Sequence, residues 1–302
     1  MPSFRSADTQ VKRALSRRMA LGTPKRAAGG KIVSHGWRET VQSDLTTLAK
    51  VVRELHGVDV IQRATPEQLA DAVRHQAKHV RDGQLRNYRQ AISSGLGIKI
   101  PAIRSEIPTE RGGRAYTRAQ IEAIVAAETN QGHRLATEIA WRCGLRGAEL
   151  HTLRLAHERP KTDRRAWSAD RFLGRDGVRY TVVGKGHLVR EIMMPRDLHE
   201  RLAPRRLAAP VTKTDRTRRH ESVYDLPGGR VWAERFSATA REVLGWSHGA
   251  HGLRHSYAQA RMCQIQRLGK TFGEALRIVS QELGHFRPSV TLEYLRGGKG
   301  GR

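Results

Sequence analysis

The feature that most constrains this chain is a break in its patterning near residue 105. Residues 101–114 hold Pro101, Pro108, Gly112 and Gly113. That punctuation stops helices and strands alike and reads as a linker. The chain is therefore expected to fold in two parts, and its 302 residues agree with domains of about 150 residues each. Before the break, residues 31–100 read as a small all-helical domain. Ser34 is a plausible cap, and Leu45, Leu48, Val51, Val52 and Leu55 recur at a helical period until Gly57. Thr65-Pro66-Glu67-Gln68 is a helix start, followed by Leu69, Val73, Ala77 and Val80. A third helix is expected around Leu85–Ser94. After the break, residues 115–302 form the second domain. It opens on a helix capped by Thr117, and Val178–Val183 and Leu188–Met194 flank Gly184-Lys185-Gly186 as a β-hairpin. The fold class expected is mainly α with a small antiparallel β-sheet, an α+β chain.

Charge narrows the partner. Lys and Arg number 55 against 29 Asp and Glu, a net +26. Residues 1–30, 31–100 and 101–302 carry net charges of +6, +4 and +16. Basicity spread this widely suits a broad grip on a polyanion, and nucleic acid is the first candidate, with DNA gripped over a broad surface rather than at one docking patch. An ordinary metabolic enzyme is not the default reading. Residues 1–30, ending Ala27-Ala28-Gly29-Gly30, are expected to be a flexible basic arm with a helical stretch near Val11–Met19. A second basic stretch, Arg201 to Arg219, contains Pro204 and Pro210 and reads at least partly as loop. Cys143 and Cys263 form no CxxC pair, which excludes a zinc ribbon and a disulfide scaffold. No run of 18 apolar residues and no secretory h-region is present. A cytoplasmic, nucleoid-associated protein is expected.

Four segments could carry chemistry. In Cys143–Leu150, Gly144 breaks one helix and Leu150/Leu153 start another, so Arg146 falls at a helix start, a ready anion site. Lys185 projects from the hairpin turn. It is no P-loop lysine, because Arg179 and Gly186 stand where that motif needs Gly and Ser/Thr. In His251-Gly252-Leu253-Arg254-His255-Ser256-Tyr257, His251 and Arg254 share a helical face. His251 and His255 suggest a zinc pair, but Gly252 replaces the glutamate of HExxH and no third ligand is evident, so no metal and no cofactor are expected. Leu283-Gly284-His285 precedes Tyr294 by nine residues from the histidine.

Taken together, in this order, the four segments resemble the catalytic domain of the tyrosine recombinases, the phage-integrase family. Gly144–Leu150 matches GLRxxEL. Val183-Gly184-Lys185-Gly186, followed by Arg190 and Pro195, matches the hairpin lysine. HGLRHSYA matches HxLRHTFA, and LGHFRPSVTLEY matches LGHxxxxTTxxY. The resemblance covers about Ala115–Leu295, and residues 31–100 resemble the family's helical core-binding, SAM-like domain in size and position. It implies a site-specific recombinase or integrase of a mobile element. Tyr294 would be the nucleophile that forms a 3′-phosphotyrosyl bond. Arg146 and Arg254 would hold the phosphate, Lys185 would be the general acid, and His251 and His285 would serve in hydrogen bonding and acid–base work. Glu149 would support them, with an exposed helix charge as the alternative. It also implies a homotetramer on double-stranded DNA, a monomer possible when free, and an accessory DNA-bending protein. Relaxation of DNA as in a type IB topoisomerase, or a non-catalytic DNA-binding relative, remain as alternatives. Two departures stand out. His251 and His285 are 34 residues apart, a surplus expected around Gln264–Glu274. Only eight residues follow Tyr294, and the Gly-rich run 297–301 is expected to form no docking helix.

Overall fold

A computed structural model of the protein describes residues 6–21, 23, 27–108, 112–216 and 218–296. The chain divides into two compact units, Met1–Glu110 and Arg111–Arg302.

The first unit is helical: α1 (Ala7–Ser16), α2 (His35–His56), α3 (Pro66–Ala77) and α4 (Asp82–Leu96). The side chains named by the periodicity line its core, with Leu45, Leu48, Val52, Leu69, Val73, Leu85 and Ile92 all buried. Ser34 Oγ accepts from Trp37 N at the start of α2, Gly57 ends α2 at φ +65°, and Thr65 and Gln68 form a reciprocal cap on α3. The segment expected to be a flexible arm is different over its described residues. Val11, Ala14 and Leu15 give α1 one apolar face, and Val11 and Leu15 join the same core. Met19 pairs with Ile32 as an isolated parallel bridge. The apolar stripe is narrow and set among Lys12, Arg13, Arg17 and Arg18, so charge masked it. Arg5, Lys25 and Arg26 of the expected arm lie outside the described residues.

The second unit opens with α5 (Arg118–Ala127) and α6 (Gln131–Cys143), and a 3-10 segment follows at Gly147–Thr152. A three-stranded antiparallel sheet comes next: β1 (Arg154–Leu155), β2 (Val178–Val183) and β3 (Val189–Met194), with β2 central. Its register sets Tyr180 against Ile192, Val182 against Arg190 and Val183 against Val189. After α7 (Arg196–Leu202), strands β4 (Arg206–Asp215) and β5 (Arg218–Tyr224) form a separate two-stranded ribbon. The sequence reading expected at least part of Arg201–Arg219 to be loop; most of it is strand, with a turn at Arg216. Pro210 lies where the register shifts between Arg206 and Val211, an edge position that a residue without an N–H tolerates. The unit closes with α8 (Gly229–Leu244), α9 (His251–Arg267), α10 (Phe272–Glu282) and α11 (Pro288–Leu292). The Gln264–Glu274 stretch holds the end of α9 and the start of α10, where Thr271 and Glu274 form a capping box. One core gathers Ile121, Ile139, Leu150, Tyr180, Ile192, Trp232, Phe236 and Leu253. A second gathers Tyr257, Ile265, Ile278, Val279, Leu283 and Tyr294. The Gly-rich run after Tyr294 lies outside the described residues.

Candidate active site

Three turns and one helix bring the site together. Gly144 ends α6 at φ +63°, where a Cβ would meet the Tyr257 ring at 2.6 Å. A residue with a side chain would be strained at that angle and has no room for its Cβ against the ring. The turn it makes presents Arg146. The expected helix start does not follow: Gly147–Thr152 is a single 3-10 segment. Nor is the Arg146 N–H free for an anion, because it donates to Glu149 Oε2 at 2.9 Å. The anion chemistry of Arg146 resides in its guanidinium.

Glu149 is the hub, and it is 1% exposed. Its Oε1 accepts from Arg146 Nη1 at 2.8 Å, its Oε2 accepts from Arg190 Nη2 at 2.7 Å, and Arg254 Nη1 lies 3.8 Å from Oε2. The reading of Glu149 as an exposed helix charge is therefore wrong for this fold. Burial pushes its carboxyl up, but Arg190, Arg254 and Arg146 outweigh that and hold it at about 2. Three guanidinium groups face this one carboxylate. Arg254 is fully buried, and burial, with Arg146 nearby, brings it down to about 9. Its Nη1 donates to Gly144 O and its Nη2 to Leu283 O. The Nε atoms of Arg190 and Arg254 are buried without a hydrogen-bond partner among the described residues. The cluster is rich in donors and in positive charge, and its one carboxylate neutralises only part of it.

His285 follows the turn after α10. Its Nε2 lies 3.2 Å from Arg146 Nη2 and 3.3 Å from Arg254 Nη2. Guanidinium groups only donate, so Nε2 accepts and the ring proton belongs on Nδ1, 3.1 Å from Thr291 Oγ1. Burial and the two arginines lower His285 to about 3. His251 stands in the first turn of α9. Its Nε2 is 3.1 Å from Tyr294 Oη, and burial and Arg254 lower it to about 4. Tyr294 is 8% exposed. Its ring stacks on His255 with centroids 4.4 Å apart, and Arg254 lies 5.8 Å from its centre. Gln259 Nε2 donates to Tyr294 O at 3.1 Å and fixes its backbone.

The structure thus brings Arg146, Glu149, His251, Arg254, His285 and Tyr294 into one cluster. Lys185 sits in a 3-10 turn between β2 and β3, and its side chain is exposed. It has no hydrogen-bond or ion-pair partner among the described residues. Its neighbour Gly184 is at the cluster: a Cβ there would lie 3.2 Å from Glu149 Oε1 and 3.8 Å from Arg146 Nη1. Two contributors were missed as site residues. Arg190 joins the loops, donating to Glu149, to Gly144 O at 3.2 Å and to Glu282 O at 2.6 Å. A buried arginine on a strand whose other residues, Glu191 apart, are apolar was the available signal. His255, read only as half of a doubtful zinc pair, is the platform for the Tyr294 ring. Among the described residues no group of three His, Cys, Asp or Glu side chains could hold a metal ion. No helix there is long and apolar enough to cross a membrane.

No family model matches the chain, and no curated protein is significantly similar to it in sequence. Solved structures are similar in fold. The XerH site-specific recombinase, in a post-cleavage complex with its palindromic difH substrate, superposes with a TM-score of 0.59 at 14% identity, covering 99% of this chain and 95% of that one. A lambda integrase tetramer bound to a Holliday junction gives 0.60 at 16% identity, over 100% of this chain and 80% of that one. The Tn1549 transposon integrase with transposon right-end DNA gives 0.56 at 13% identity, over 98% and 96%. The chain has the fold of the tyrosine recombinases and integrases.

Proposed function

We propose that this protein is a site-specific DNA recombinase that cuts and rejoins DNA through a 3′-phosphotyrosyl link to Tyr294. One observation carries the reading. The Tyr294 hydroxyl lies 3.1 Å from the neutral His251 Nε2, beside guanidinium groups whose charge Glu149 does not balance. A nucleophile, a proton acceptor and fixed donors for a phosphate then share one pocket.

In this reading a backbone phosphate takes the positive end of the cluster. Arg146 Nη2 and Arg254 Nη2 exchange His285 Nε2 for its non-bridging oxygens, and planar guanidinium forks suit that geometry better than an ammonium. Arg254 is buried against the Tyr294 ring, so the ring shifts as the phosphate enters. Tyr294 Oη attacks phosphorus and its proton passes to His251 Nε2. The bond to the 5′ oxygen breaks, and Lys185, exposed on its turn, gives that oxygen a proton. The covalent link conserves the phosphodiester energy, so rejoining by the reverse attack needs no ATP. Glu149 and Arg190 touch no reacting atom and act as positioning residues. Exchange between two duplexes needs four cleavages and hence four copies. The lambda integrase tetramer on a Holliday junction supports that stoichiometry for the shared fold.

The test is covalent trapping. The protein is incubated with supercoiled plasmid and fragmented source DNA, without metal or ATP, and quenched with SDS. The expected result is protein-linked DNA from the wild type and none from Tyr294→Phe. Adducts at a narrow set of sites support recombination. Adducts at many sites with plasmid relaxation would replace it with a topoisomerase, and salt-sensitive binding with no adduct would leave a DNA-binding protein only.

A further inference from the structure

The β4–β5 ribbon ends beside the cluster just described. A cavity of about 510 Å³ opens next to Arg146 and His251, and Arg114, Arg216, Arg230 and His248 also line it. All of these residues belong to the second unit. Four guanidinium groups therefore meet one open space. The one carboxylate on its wall, Glu234, is paired with Arg230 at 2.6 Å. Arg114 and Arg216 are exposed and have no ion-pair partner among the described residues. Like charges held together on a wall are a cost in the free protein and a gain once a polyanion arrives.

Arg216 reaches this cavity because the ribbon is fastened. Asp215 Oδ1 accepts from the backbone N–H of Arg230 in the first turn of α8, at 3.0 Å. Gly229 makes room for it: at φ +61°, a Cβ on Gly229 would lie 2.6 Å from Asp215 Cγ. The next residue, Arg216, has φ +56°, a left-handed angle that strains a non-glycine residue and persists where its surroundings hold it. Lys213 adds a second fastening, its Nζ donating to Leu226 O at 2.9 Å. The acid that fastens the ribbon thus aims the base that follows it.

We propose that this cavity is a second phosphate seat, taking a DNA backbone phosphate that flanks the one held by Arg146, and that Asp215 is the latch that puts Arg216 there. The proposal rests on the recombinase reading. Arg114, Arg216 and Arg230 donate to the phosphate oxygens, and Asp215 touches only protein. The seat fixes the register of the strand over Tyr294 without reading a base.

The latch makes a prediction opposite to simple electrostatics. Asp215→Ala raises the net charge by one and should, by charge alone, tighten DNA binding. Release of Arg216 should instead weaken it. The probe is a fluorescein-labelled 30-base-pair duplex of arbitrary sequence, titrated by anisotropy at several NaCl concentrations. Each lost phosphate contact lowers the slope of log affinity against log salt by about 0.9. Asp215→Ala and Arg216→Ala should each show that drop, with affinity about three- to tenfold lower at the lowest salt. Asp215→Asn keeps the acceptor and should bind at least as tightly as the wild type. Unchanged melting of the variants excludes misfolding. Tighter binding by Asp215→Ala, or an unchanged slope for Arg216→Ala, overturns the proposal. The trapping assay separates the two readings. Adducts from the wild type with an unaltered slope in Arg216→Ala sink the seat alone. A lowered slope with no adduct sinks the recombinase, and the flanking position of the seat falls with it.

Discussion

Two buried glutamates in the second unit show the same residue put to different ends. Glu282 and Glu149 are each 1% exposed, and each bonds a buried arginine. Glu282 takes Arg261 with both oxygens, at 2.7 and 2.9 Å, and also accepts from Tyr257 Oη at 2.8 Å and Phe172 N at 2.9 Å. One carboxylate meets one guanidinium, and neutral donors complete it. Glu149 faces Arg190, Arg146 and Arg254 at once, among histidines that burial keeps neutral. The Glu282 network is balanced and finished. The Glu149 network is short of negative charge, and the proposed DNA phosphate would supply what it lacks. The contrast separates a group that holds α9 and α10 together from one that holds donors ready.

The largest expected effect breaks the unfinished network at its donors. Arg254→Ala or Arg146→Ala should lower the rate of adduct formation about 10²- to 10³-fold, the usual cost of one lost transition-state donor. Single-turnover trapping checks this. The second effect breaks the finished network. Glu282→Gln leaves Arg261 buried without its counter-charge and should cost about 3–5 kcal/mol, read as a lower urea midpoint that added sulfate does not restore. Glu149→Gln should also destabilise, but sulfate should restore part of the loss, because an anion fits the surplus charge there. Equal response of the two variants to sulfate would erase the distinction. Third comes acid. Glu149 is held at about 2 against an ordinary 4.5, so its contribution is present above pH 4.5 and is lost as pH falls from there toward 2. The amount is about 3 kcal/mol at most. His251 at about 4 and His285 at about 3 are lowered from 6.5, so the unfolded chain takes up protons first, and stability drops further as pH falls below 6.5. Urea midpoints from pH 7 to 3 should decline throughout, with a smaller decline below pH 4.5 in Glu149→Gln. The smallest effect belongs to the first unit. Thr65→Ala removes the α3 cap and should cost about 1 kcal/mol, with adduct rates unchanged.

The sequence foretold what short-range physics dictates. The caps at Ser34, Thr65 and Thr117 and the hairpin around Lys185 each depend on residues within a few positions, and the structure has them. The fold class followed from the same patterns. The gathering of Arg146, His251, Arg254, His285 and Tyr294 was legible through ordered motifs, since their spacing alone says nothing of a shared pocket. What escaped was set by distance or masked by charge. Arg190 matters because it bonds Gly144 and Glu282, 46 and 92 residues away. The ribbon was hidden because Pro210 reads as a loop signal when the strand it occupies has a free edge. In and just after α1, four basic side chains obscured three apolar ones.

The central claim is that Tyr294 itself carries the DNA, by its 3′ phosphate. Trapped complexes would be digested with nuclease and trypsin, and the nucleotide-bearing peptide would be sequenced by mass spectrometry. The account predicts a single modified peptide with a nucleotide phosphate on Tyr294, from DNA whose 5′ end at the break is a free hydroxyl. Linkage to any other residue, or a phosphate left on the 5′ end, would contradict it.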